Sequence, residues 1–461
     1  MLLRLLRGLV PEDHLTRRLA IQSVISAFGD GAFLTGSAFY FTQLVGLSAQ
    51  HVGLGLSVAA AVQFVVSVPT GRWVDRVGAK HAWVWMAAAQ AGLYFLWPAI
   101  GGFVTFLLMM AAMSVVESTM RAGRNSYTIA VFPREQRVAS QAFMRAARNV
   151  GYTLGALLAG LALALESDTA MELVPILTGA LLVGNTFWVW RLPPLAARAP
   201  VAVPVPSPMP MAEPEELDAA LAWTDQSEGG TTERREGRRG LRGVERAPKR
   251  SGGARQHSAI QNRGFLMMSI FNGILSTHGV LLNTVIPLWL VEETDAPRVL
   301  LAWLFGTNTV MAVFLQVAAA RGVTTVSQSL RAQYRGAACF VLSCGIVLIT
   351  HDTTGWLTIV LVWVGHVTVT GSELFQSAGM WGLVAELSDP ERLGDYQGVS
   401  SLGYTLGEVW APALYTFLAM TLGAPGWIII ALIVIAAAVA IGPASRSAER
   451  YLTRQGVLAG L

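Results

Sequence analysis

Charge is scarce in this chain. Only 13% of its 461 residues are Asp, Glu, Lys or Arg, against roughly 25% in an ordinary soluble domain. Cysteine is scarcer still. Cys339 and Cys344 are the only two, five apart in one apolar run without metal-ligand company, and they read as small buried hydrophobes. His278 and His366 lie inside apolar runs with no second ligand at His-x-x-x-His spacing, so buried, hydrogen-bonded histidines are expected rather than a metal site. No Gly-x-x-x-x-Gly-Lys-Ser/Thr run occurs, which excludes a built-in ATPase. Nor is there a Gly-x-Ser-x-Gly or His-Glu-x-x-His constellation for hydrolysis.

Apolar sequence fills the space instead. Hydrophobic residues make up 53% of the chain and the mean hydropathy is +0.50. They gather into six segments, a long polar insert, and six more. The approximate spans are 19–45, 50–73, 81–101, 103–130, 137–165 and 170–191, then 264–291, 298–320, 333–351, 355–386, 394–421 and 425–443. Each is of a length to cross a hydrocarbon core about 30 Å thick as a helix. The net charge of +4 does not point to nucleic acid, because the basic residues sit at span edges and in the insert. With the N-terminus inside, one side collects Arg17, Arg18, Arg72, Arg76, Lys80, Arg134, Arg137, Arg321, Arg331 and Arg446 among others. The opposite side has Arg298 alone, with acids such as Glu172, Glu292, Glu293 and Asp352. The positive-inside rule then places both termini in the cytoplasm. Residues 1–18 read as a short amphipathic tail with no cleavage site.

The insert, 193–262, is Pro-rich at first and carries nine Arg or Lys against three Glu over 233–255. Such composition does not fold alone. It is expected to be a flexible cytoplasmic linker, or a polybasic arm drawn to anionic headgroups. The expected organisation is an N-terminal six-helix bundle at 1–192, the linker, a C-terminal six-helix bundle at 263–443, and a tail at 444–461. The halves repeat: Gly151-Tyr-Thr-Leu-Gly155 recurs as Gly403-Tyr-Thr-Leu-Gly407, and Phe28-Gly-Asp-Gly31 is echoed by Ile270-Phe-Asn-Gly273. Glu117 and Glu373 stand at matching places before Pro133 and Pro390.

The short polar turn between the second and third spans reads Gly71-Arg-Trp-Val-Asp75-Arg76-Val-Gly78-Ala-Lys80-His81. Its spacing resembles the loop signature of the major facilitator superfamily of secondary transporters, with His81 where a second Arg or Lys is usual. The resemblance implies an all-α membrane protein of twelve transmembrane helices in two pseudo-symmetric six-helix bundles. It also implies that Gly71, Asp75, Arg76, Gly78 and Lys80 form a gating loop leaning on the second half near 394–397. In the fourth span, Arg121-Ala-Gly-Arg-Asn is similar to the family's second signature, where an Arg is linked to proton transfer. In the fifth span, Gly151-x-x-x-Gly155 with Ala156 and Gly160 resembles the drug/proton antiporter signature, although Ala156 stands where that signature has Pro. Plain helix packing is the other reading of these glycines.

Charged side chains inside spans are costly and face a cavity or a partner. Asp30, between two glycines in the first span, is a candidate proton carrier or the partner of an Arg on another span. Glu117 and Arg121 lie four apart on one helical face, with Arg124 a turn further on, either snorkelling or paired with Asp75. The candidates for proton coupling are therefore Asp30, Glu117 and Arg121. Arg145, Arg148, Asn149 and Tyr152 form a polar stripe on the fifth span, and with Glu373, Tyr404 and Glu408 they are the candidate substrate cavity. Trp303, Trp363, Trp381 and Trp410 are candidates for an aromatic wall. Arg134 and Arg137 read as loop residues.

The expected activity is secondary transport of a small organic solute across a bacterial inner membrane, as proton-coupled export by alternating access. An importer of an organic anion with protons is one alternative, and Arg121, Arg145 and Arg148 would then clamp the anion. A non-transporting receptor or accessory protein is another. The expected partners are the small-molecule substrate, protons and membrane lipids, with no nucleic acid, for a chain acting as a monomer. No catalytic residue, cofactor or metal is expected.

Overall fold

The computed structural model describes residues 13–164, 168–195, 258–297 and 300–457. The first twelve residues, nearly all of the expected linker, Arg298 and residues 458–461 lie outside them. Among the described residues, twelve helical spans follow one another. The first half has α1 (His14–Phe39), α2 (Ala49–Val77), α3 (Ala79–Phe95), α4 (Phe103–Val131), α5 (Arg134–Ala164) and α6 (Asp168–Trp190). The second has α7, a broken helix from Arg263 to Glu292, then α8 (Leu300–Ala320), α9 (Val326–Ile349), α10 (Trp356–Glu386), α11 (Leu393–Leu422) and α12 (Ala424–Arg454). No strand occurs among the described residues.

Most boundaries fall within a few residues of the apolar segments. Two do not. α9 begins at Val326, where Thr325 and Gln328 form a reciprocal capping box that a hydropathy count does not weigh. α12 continues through 444–454, the stretch expected to begin a tail, because Ala444, Ala448 and Leu452 keep one face buried against the body. Residues 258–262 likewise belong to the packed body, since the Asn262 side chain caps α7 and Ala259 is buried.

Eight of these helices are long and apolar enough to cross a membrane on their own composition. α1, α3, α5 and α11 are outside that set. α3 is short, at 17 residues. The other three carry the polar residues that meet inside the body, so the same side chains that weaken their hydropathy build the site.

The sequence repeat is a packing repeat. Gly151 and Gly155 of α5 lie against the α1 backbone at Val24 and Phe28, while Gly403 and Gly407 of α11 lie against α7 at Ser269 and Gly273. At each of the four, a methyl group would overlap a carbonyl of the neighbouring helix. Close backbone approach, rather than a proline kink, is thus what the Gly-x-x-x-Gly run of α5 performs. Gly155→Leu or Gly407→Leu should force these helices apart. The expected result is a lower melting temperature and loss of monodisperse protein, since overpacking a tight interface costs about 1–3 kcal/mol or more.

The α2–α3 turn defines one end of the body, called here the gate end. Gly78 ends α2 and starts α3 at φ +95°, a conformation that favours glycine. α10 closes and α11 opens at this same end, as contacts described below show. At the far end α7 contains a π-turn at Leu281–Val285, just ahead of Pro287, whose missing N–H leaves the preceding turn short of a donor.

Candidate functional site

The gate end is where the halves are tied. Asp75 of α2 accepts hydrogen bonds from the backbone N–H groups of Gly394 and Asp395, at 2.6 and 2.8 Å. Its carboxylate therefore caps the N-terminus of α11, where unpaired amides and the helix dipole favour a negative charge. Of the partners expected for Asp75 – that helix end, Arg124 or Arg137 – the helix end is the one it takes. Gly71 and Gly394 face each other so closely that a methyl on either would overlap the other's carbonyl.

Asp395 is nearly fully buried and is held by Arg72 Nε at 2.9 Å, Ser258 Oγ at 2.9 Å and the Ala259 amide at 2.6 Å. One carboxylate thus joins the α2 end, the α11 start and the segment entering the second half. Asp395→Ala would leave the Arg72 guanidinium without its counter-charge, though still bonded to Ser258 Oγ, and the buried Ala259 amide without its acceptor. A melting temperature lowered by several degrees is the expected outcome, checked by thermal unfolding in detergent.

The remaining motif residues divide. Lys80 donates through Nζ to the carbonyl of Leu192 and so caps the end of α6, joined there by Arg18 and Tyr127. Arg76 is exposed and has no ion-pair partner among the described residues. Arg72, rather than Arg76, is the basic residue that engages the second half.

Above the gate lies a cavity of about 400 Å³ between the halves. α4, α5, α10 and α11 build it. α5 contributes a continuous face: Arg137, Gln141, Arg145, Arg148 and Tyr152 recur at heptad-like spacing and all line it. Arg134 and Arg137 are helical and lie in the same stripe, which corrects their reading as loop residues. Arg134 instead pairs with Glu386 at the end of α10. Three turns higher, Arg145 pairs with Glu373 of α10 at 2.5 Å. α5 and α10 therefore run antiparallel and are bridged twice, at the gate end and at mid-depth. Between the rungs, Val138 and Ala142 pack on Val317, Ala320 and Ala378 of the second half.

The expected site residues separate under this geometry. Glu117, Arg121, Arg145, Arg148, Asn149, Tyr152 and Tyr404 line the cavity. Glu373 stands behind Arg145 and also accepts from Asn308 Nδ2 at 2.9 Å. Asp30 stands behind Arg148, 3.6 Å from its guanidinium, and accepts from the Tyr152 hydroxyl at 3.4 Å. Asp30 is thus a paired acid, not an isolated one. Glu117 pairs with Arg121 on its own helix at 2.5 Å. Glu408 is exposed one turn beyond Tyr404 and is not part of this lining. Of the aromatic candidates, Trp381 and Tyr404 face the cavity; Trp303 and Trp363 are exposed, and Trp410 packs on Tyr415.

The site's charge is one-sided. Arg121, Arg124, Arg137, Arg145 and Arg148 line the cavity; Glu117 pairs with Arg121, Glu373 with Arg145 and Asp30 with Arg148, and Glu386 lies near Arg137. Arg121, Arg145 and Arg148 are thus each matched by one acid. Arg124 has no carboxylate partner among the described residues. At the place matching Asp30, the second half carries an amide. Asn272, the counterpart of Asp30, accepts from Gln333 and Gln376 at 2.8 and 3.0 Å. His278 and His366 are buried in that half, and no group of residues suited to hold a metal occurs among the described residues.

A family model for the Major Facilitator Superfamily matches residues 19–412, spanning both halves and this cavity. The chain belongs to that superfamily. This transporter also resembles solved structures of the family over nearly their whole lengths. A bacterial homologue of the iron transporter ferroportin, in the outward-facing state, aligns with TM-score 0.65 at 15% identity, covering 94% of this chain and 100% of that one. The human organic anion transporter TETRAN aligns with TM-score 0.60 at 13% identity, covering 94% and 99%. The transporter FucP in its outward conformation aligns with TM-score 0.62 at 11% identity, covering 93% and 98%. At these identities the likeness is one of fold. No curated protein matches by sequence. The chain is thus an integral membrane transporter and not an enzyme.

Proposed function

We propose that this facilitator carries a small organic anion across the membrane by alternating access, together with protons. The observation that carries the reading is Arg124, a cation lining the cavity without a carboxylate among the described residues. A low-dielectric cavity with an unmatched positive charge repels a lipophilic cation and attracts an acid group. Guanidinium groups also match carboxylate and phosphate geometry in bidentate fashion. This favours the organic-anion alternative over export of an uncharged or cationic amphiphile.

Coupling follows from the same pairs. Arg145 is occupied by Glu373 and Arg148 by Asp30. A substrate carboxylate that takes either arginine must displace the resident acid. The displaced acid, left without its counter-charge, takes up a proton. Proton and anion binding therefore reinforce each other, and by linkage the effect is mutual. Such a cycle moves both in one direction, as symport. Substrate affinity should accordingly rise as the pH falls. The gate end, with the basic loops, would face the cytoplasm. In that orientation the contacts at the gate end would close the cytoplasmic side.

The test is uptake into proteoliposomes under an imposed pH gradient, with a panel of carboxylates, phosphate esters and lipophilic cations. Accumulation of anions, with measurable proton influx, is the expected result. Arg124→Gln should weaken anion binding by roughly thirtyfold or more, the worth of a lost charge-assisted contact in a shielded site. Transport of cations alone, or anion binding unaffected in that variant, would overturn the reading.

A further inference from the structure

On the outer face of the second half a separate groove of about 650 Å³ runs between α9 and α12. Its walls are apolar: Ala338, Val341 and Leu342 on α9, and Ile435, Ala438 and Val439 on α12. Tyr334 forms the floor toward the gate end, its hydroxyl lying over Gly442, where an added methyl would stand 2.6 Å away. α9 runs away from the gate end and α12 toward it. Stepping from Tyr334 back to Arg331, and from Gly442 forward to Arg446, therefore moves the same way, about 4.5 to 6 Å toward the gate end. Both arginines are exposed, as are Arg450, a turn further toward the gate end, and Arg335, next to Tyr334. None of the four has a carboxylate partner among the described residues; Arg450 donates only to the Arg446 carbonyl, at 3.3 Å. Glu449, half-buried on α12, is the nearest acid in sequence.

We propose that this groove is a binding site for an anionic phospholipid. An acyl chain fills the apolar walls, the Tyr334 hydroxyl sits at the boundary between chain and headgroup, and the phosphate lies between Arg331 and Arg446. The height of the groove matches the arrangement: apolar walls within the span, basic residues one turn beyond, where a helix leaves the hydrocarbon. The exposed arginines select for net charge. A zwitterionic headgroup carries its own cation toward them, whereas a phosphatidylglycerol head brings only its phosphate.

Purified transporter would be offered phosphatidylglycerol and phosphatidylcholine in equal amounts, and the lipids retained on it counted by native mass spectrometry. Each arginine beside a charged headgroup is worth roughly a fivefold gain. Retained phosphatidylglycerol should therefore exceed phosphatidylcholine in the wild type. Arg331→Gln with Arg446→Gln should reduce that preference by about twenty-fivefold. Ala438→Trp, which fills the groove and leaves the arginines in place, should displace the lipid as well. Equal retention of the two lipids by the wild type would overturn the proposal, as would a preference unchanged in both variants. A protein dimer that Ala438→Trp dissociates, with no lipid bound, would also overturn it and give the groove to a second copy.

Discussion

Asp75→Asn is expected to open the gate end. The native carboxylate accepts two backbone N–H bonds from the first turn of α11 and also meets its dipole. The Asn amide keeps one oxygen and turns an NH2 toward those donors, so it loses at least one charge-assisted bond and adds a donor–donor conflict. The cost is about 2–4 kcal/mol, all of it in the state closed at this end. That shifts the balance between closed and open by roughly thirty- to a thousandfold. Arg72–Asp395 and Arg134–Glu386 remain and hold part of the seam. A cysteine placed at Ser401, in the cavity lining, reports the change by maleimide labelling from the gate side. A background lacking Cys339 and Cys344 keeps the signal clean. Labelling faster by at least tenfold, with substrate still bound, is the expected result. Unchanged labelling with intact transport would reduce the loop to a topological marker.

Glu373→Gln is expected to separate substrate movement from the proton gradient. Glutamine keeps the shape and can still accept from Asn308, but it no longer competes for Arg145. Arg145 is about one-third exposed, so it tolerates the loss by facing the watery cavity rather than remaining as a buried orphan charge. Anion affinity should rise by about ten- to a hundredfold, the worth of the competing charged hydrogen bond. Its dependence on pH should flatten, because the acid that took up the proton is gone. Exchange of labelled for unlabelled substrate across the vesicle membrane should persist, while uphill accumulation driven by a pH gradient falls to background. The sign is fixed by the pairing: protonation frees the arginine, so the neutral variant mimics the low-pH state at every pH. Uphill accumulation at wild-type level would remove Glu373 from coupling and leave that role to Asp30, whose pairing with Arg148 is looser at 3.6 Å.

The site was legible in the sequence wherever its residues share one helix. The stripe Arg145, Arg148, Asn149 and Tyr152 is a local pattern, and the α5 backbone carries it into the cavity as its spacing requires. The same period extends back through Gln141 to Arg137 and Arg134, and following it would have recovered those residues. Pro133, just ahead of them, in fact precedes the first turn of α5. Arg72 and Asp395 carried no such signal. They are separated by more than three hundred residues, and each alone is an ordinary charge at a helix end. Arg145 and Glu373 were both named, but their pairing was not, since no spacing relates one half to the other.

The sequence by itself determined the number of spans, the duplication of the halves and the membrane setting. Those rest on hydrocarbon thickness, charge cost and helical period, all properties of short windows. It left the repeated glycines open between packing and an antiporter signature; that they bring backbones into contact at two places in each half is a finding of the structure. Only the tertiary structure decided which arginines are occupied and which is free. Ion pairing acts over a few ångströms, and folding brings Glu373 onto Arg145 and Asp30 behind Arg148 while leaving Arg124 without an acid. The sign of the cavity is therefore a difference between charges drawn from α1, α4, α5 and α10, and it exists only once those helices are packed together.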